Sequence, residues 1–150
     1  MKTQFLALLL LLPACASTPD PAEICTAEWI EPRSERALDR IEKRAAKSIE
    51  AFKSVSETWL SGESPGPLQM YRLSRAFDAL ETELKSGPGS RDLRLLAATC
   101  SDPDFISEQV TALLERADIP DRMVLFLDRT GLLNRAVEMI ERGDASDPNG

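Results

Sequence analysis

Histidine is absent from this 150-residue chain, and aromatic residues are sparse, with two Trp, one Tyr and five Phe. Without His, a zinc or iron site would have to be built from carboxylates and thiols alone, and neither a Glu-x-x-His spacing nor a D-x-D-x-D-G loop occurs. No metal site and no cofactor is expected. A Ser or Cys nucleophile likewise lacks its usual base, and no G-x-S-x-G turn is present, so no catalytic residue is assigned. Positive charge is also in deficit. The formal net charge is -7, which argues against a general nucleic-acid partner, because such binding needs a basic footprint. No segment alternates at period two for long enough to make a strand, and no apolar run approaches the ~20 residues of a spanning helix.

The longest apolar run, Phe5 to Leu12 (FLALLLLL), follows Lys2 and has the length of a signal-peptide core. Directly after it stands Leu12-Pro13-Ala14-Cys15. This tetrad resembles the bacterial lipobox, with a branched apolar residue at -3, a small residue at -1 and Cys at +1; Pro13 departs from the commonest pattern. The resemblance implies that the Cys15 thiol is alkylated by a diacylglyceryl group, that residues 1–14 are removed, and that the protein is held to a membrane through lipid on Cys15. Bacterial lipoproteins with Asp after the lipidated Cys tend to stay in the inner membrane; Ala16 stands here, which implies the outer membrane, facing the periplasm. The rival is ordinary cleavage at Ala16 on the A-x-A pattern Ala14-Cys15-Ala16, releasing a soluble periplasmic protein. Since Lys2 is the only charged residue of the leader, the rest of the chain carries -8.

Loss of Cys15 by either route leaves Cys25 and Cys100, an even pair in an oxidising compartment. A disulfide between them is expected, the alternative being two separately buried thiols. Residues 15–24 read as the lipidated Cys and a flexible tether broken by Pro19 and Pro21, residues 25–142 as one helical domain, and residues 143–150 as a disordered tail.

Within the domain, Leu38, Ile41, Ala45, Phe52, Val55 and Trp59 recur at three-four spacing, with Ile49 beside the seam, predicting a long helix from Arg33 to Leu60. After the turn formers of 61–67, Met70, Leu73, Phe77, Leu80 and Leu84 repeat the spacing until Gly87-Pro88-Gly89. Two such helices joined by a short loop pack antiparallel. Shorter helices are expected over Arg91 to Thr99, from a cap at Ser101-Asp102-Pro103 to a stop before Pro120, and over Asp121 to Arg142, where Gly131 kinks or splits the run. The fold expected is therefore an all-α bundle of four to six helices, a long antiparallel pair followed by shorter ones.

Arg33, Arg36, Arg40, Lys43 and Lys47 lie opposite the first seam as a basic stripe on an acidic protein. An anionic partner would dock there, although mixed charge on a helix face is also an ordinary solvated surface. Trp29 and Trp59 bracket the helix and are expected to anchor the core, and the carboxylates to sit on solvated faces. The function these features predict is a non-enzymatic, membrane-anchored envelope lipoprotein with a helical interaction module for an envelope protein or glycan. The alternatives are an inhibitor or immunity lipoprotein, or a carboxylate-dependent enzyme acting on peptidoglycan.

Overall fold

The computed structural model describes residues 22–143; the expected leader, Cys15, most of the tether and residues 144–150 lie outside the described residues. Six helices and no strand make up the described chain: α1 (Ala27–Leu60), α2 (Pro67–Ser86), α3 (Pro88–Cys100), α4 (Phe105–Arg116), α5 (Asp121–Arg129) and α6 (Leu132–Arg142). The protein is an all-α bundle at the upper end of the expected helix number.

The first helix starts earlier than its apolar period suggests. It begins at Ala27 and runs through Pro32, whose missing N–H leaves the Glu28 carbonyl without its intrahelical donor. Proline in a helix costs about 3 kcal/mol in an isolated setting, and here two tertiary features offset it. Trp29 and Ile30 pack against the main core, and Cys25, just outside the helix, is bridged to Cys100 at the end of α3 with a Cα–Cα distance of 5.4 Å. The expected disulfide is present. It closes 75 positions of chain, worth roughly 4 kcal/mol by the loop-entropy argument. Of the expected tether, Ala22 to Ile24 form a turn leading into this bridge.

Gly66 and Pro67 open α2, and the Gln69 side chain returns to accept the Gly66 N–H at 2.9 Å. Only Gly87 separates α2 from α3, which starts at Pro88 rather than Arg91 because Pro suits the first helical position. Gly89 brings α3 hard against α1: a Cβ there would lie 2.7 Å from Ile41 Cγ1 and nearer still to the Ala37 carbonyl. Pro103 does not enter a helical turn. Asp102 accepts the Asp104 N–H at 3.0 Å, and α4 begins afterwards at Phe105. Gly131, at φ +73°, splits the last expected helix into α5 and α6.

Helix α1 packs on α2 and α3, while α6 packs on α2, α3, α4 and α5. The main core joins Ala37, Leu38 and Ile41 of α1 to Leu84, Leu93, Leu96, Phe105, Ile106, Val110 and Ile140. A smaller cluster, Ala117, Ile119 and Met123, sits under the α4–α5 corner against Ile49 and Phe52. Polar ties reinforce these contacts. Arg44 Nε donates to Glu83 at 2.6 Å, Arg94 donates to the carbonyls of Lys85 and Ile140 at 3.1 and 2.8 Å, and Arg116 of α4 pairs with Asp39 and Glu42 of α1.

Candidate functional site

The two apolar clusters do not merge. Between them lies a groove of about 420 Å³, floored by Ile49 and Phe52 of α1 and Leu80 and Leu84 of α2, and roofed by Leu133 and Met139 of α6. Its existence follows from the packing pattern: α1 and α6 both dock on α2 but leave the space between them to side chains of α4 and the α4–α5 corner. Phe52 and Phe77 meet edge to face at 6.3 Å between ring centroids, forming one wall. Ala76 of α2 and Ala136 of α6 are small residues of its lining. The volume falls within the ~300–1,000 Å³ of small-molecule sites.

Glu81 and Arg135 are the two charged residues lining the groove. The Glu81 carboxylate accepts a hydrogen bond from Lys85 Nζ at 2.5 Å, one helical turn on. That bond and the Lys85 charge hold the Glu81 carboxyl below its ordinary 4.5, and the nearby Arg135 charge adds in the same direction. The Arg135 guanidinium itself makes no hydrogen bond or ion pair at contact distance among the described residues. Counting Lys85, the groove rim therefore carries two cations against one carboxylate.

A second hollow of about 410 Å³ opens beside Glu115, Asp118 and Asp121 at the α4–α5 corner. It is lined by acids on exposed positions, and among the described residues no group of three or more Cys, Asp or Glu is arranged to hold a metal ion.

The five residues of the basic stripe share one face of α1, but they do not form a uniform row. Arg33 is half-buried, donates to the Trp29 carbonyl at 2.8 Å and stacks over the Trp29 ring at 4.1 Å, while Arg40 is ion-paired with Asp92 of α3. Arg36 bonds back to the Pro32 carbonyl at 2.8 Å. Lys43 and Lys47 remain exposed. The stripe is thus partly spent on holding α1 to itself and to α3.

The two tryptophans differ. Trp29 packs on the main core, whereas Trp59 is 41% exposed at the far end of α1 and meets Phe126 of α5 edge to face at 6.2 Å. Trp59 therefore does not anchor the core as its seam position suggests: its ring meets Phe126 of the short α5, itself 46% exposed, and not the buried clusters. Met70 and Phe77 of the second seam are similarly 44% and 40% exposed. The expectation of solvated carboxylates fails at Glu83, which is 7% exposed under the α2–α3 corner and has one oxygen, Oε1, without a hydrogen-bond donor. The groove was not singled out by the sequence; its only trace there is the unusual run of partly redundant apolar positions, Leu113-Leu114 and Leu132-Leu133.

Among the described residues, no helix is long and apolar enough to cross a membrane. Compared with protein-family models, curated proteins and solved structures, the chain matches none, so its chemistry has to be read from its own residues.

Proposed function

We propose that the protein is a non-enzymatic envelope lipoprotein, anchored through lipid on Cys15 in the outer membrane, whose helical domain binds an envelope component. The observation that carries the binding half of this reading is the apolar groove between α1, α2 and α6, a volume of about 420 Å³ left open in a small domain otherwise packed around two clusters. Small domains have little burial to spare, so an unfilled apolar cleft is a stability cost that a bound partner removes. The disulfide supports export, since such bridges persist in oxidising compartments. The seven residues from Ala16 to Ala22 reach at most about 25 Å, which keeps the bundle near the bilayer that holds the lipid.

Two measurements test the halves separately. Globomycin should cause the unprocessed form to accumulate, and mass spectrometry should find a diacylglyceryl-modified Cys15 at the mature amino terminus; an unlipidated start at Ala16 or Ser17 would replace the anchor with periplasmic release. For the binding half, a photoreactive side chain at Phe77 should cross-link to an envelope component in living cells, and one at exposed Arg122 should not. Clearing of a peptidoglycan zymogram that is lost with a single carboxylate substitution would overturn the non-enzymatic reading.

A further inference from the structure

We propose that the groove holds the hydrocarbon chain of a fatty acid, with its carboxylate on Arg135. This rests on the reading of the groove as a binding site and names the class of its occupant.

Size favours a small amphiphile. At about 420 Å³ the groove lies in the range of small-molecule sites. A hydrocarbon chain is a single file of methylenes that bends to fit such a space. Lining chemistry agrees: Ile49, Phe52, Leu80, Leu84, Leu133 and Met139 offer only dispersion contacts, which suit a flexible alkyl chain and give no recognition to a polar body.

Charge complementarity fixes the head. Lys85 donates to Glu81 at 2.5 Å, and the Arg135 guanidinium, whose charge also acts on Glu81, makes no hydrogen bond or ion pair at contact distance among the described residues, so the rim keeps one positive charge in excess. A carboxylate is the planar acceptor that a guanidinium binds in two-point fashion. On a protein whose net charge is -7, a groove rim with two cations against one carboxylate is a local excess of positive charge that an amphiphilic anion matches.

The test is calorimetric titration of the mature chain from position 15, carrying Cys15→Ser to remove the protein's own lipid, with saturated fatty acids of about ten to sixteen carbons below their micellar concentrations. Affinity should rise about fourfold per methylene until the groove is full and then level off. Arg135→Gln should weaken the acid about tenfold and leave the methyl ester of equal length unchanged. Ala76→Trp, which fills the groove, should abolish binding of both while the helical circular dichroism and the disulfide are retained. Should Ala76→Trp fail to fold, Ala136→Leu replaces it, with a shorter optimal chain expected. Acid and ester binding alike in the parent, or an Arg135→Gln variant that binds the acid as the parent does, overturns the assignment of the head. No binding of any chain length overturns the occupant altogether. If the Phe77 cross-link then captures a protein, the interaction module stands and the fatty acid falls; if it captures nothing either, both fall.

Discussion

At position 89 a single methyl group has nowhere to go. The added carbon would approach the Ala37 carbonyl and Ile41 of α1, backbone and side chain of a helix that cannot yield without disturbing the main core. Gly89→Ala should therefore destabilise the domain by about 1–3 kcal/mol in urea unfolding. Gly131 is the converse: its added carbon meets no atom within 4 Å, but its φ of +73° is strained for any other residue, so Gly131→Ala should cost nearer ~1 kcal/mol. In the sequence both glycines read as punctuation. What distinguishes them is a crossing between α1 and α3, a long-range fact that local pattern does not contain. Glu81 gives a third residue-scale expectation. Its carboxyl is held below 4.5 by the Lys85 hydrogen bond, so its contribution is fully present above the ordinary carboxyl value and is lost as pH falls through the depressed one. An NMR titration should show Glu81 titrating below 4.5, and Lys85→Met should move it back up. A Glu81 that titrates identically in both proteins would remove the pair from the groove rim.

Among the elements, α1 shows best what periodicity can and cannot tell. Of its buried face, Leu38, Ile41, Ala45 and Val55 were legible because core positions on a helix recur every three or four residues whatever they pack against, while Ala37 was not singled out. Its beginning was not, because Pro32 ordinarily marks a start or a break. Here the turn before the proline is retained by Trp29 and Ile30 on the core and by the bridge at Cys25. Pro32→Ala restores the donor to the Glu28 carbonyl and should raise stability by up to about 3 kcal/mol, read as a higher melting temperature. A lower melting temperature would mean that the proline ring itself packs usefully. The far end of α1 failed for a different reason. Trp59 and Met70 keep the rhythm of their seams, yet a seam is buried only where a partner helix lies across it, and at that end Trp59 meets α5 through Phe126, itself 46% exposed.

Over the whole molecule, the bridge and the groove sit at opposite reaches of the same helix. Cys25 precedes the first turn of α1, while Ile49 and Phe52 lie about 36 Å further along it at 1.5 Å per residue. The parity of the cysteines made the bridge legible; the groove was invisible because it is made by helices failing to meet, and each of those helices, taken alone, has an ordinary apolar face. Their separation predicts two uncoupled responses. Replacing both cysteines, with Cys25→Ala and Cys100→Ala together, enlarges the unfolded ensemble and should lower stability by roughly 4 kcal/mol. It also frees the first turn of α1, where Pro32 is waiting to break the helix, so amide protection should fall from Ala27 to Glu31 first. Fatty-acid affinity, measured at a temperature where the variant is still folded, should stay within about twofold of the parent, because neither cysteine, no residue of the first turns of α1 and none of α3 lines the groove. Affinity that collapses together with amide protection at the amino end would instead make the bundle one cooperative unit in which the bridge holds the groove open.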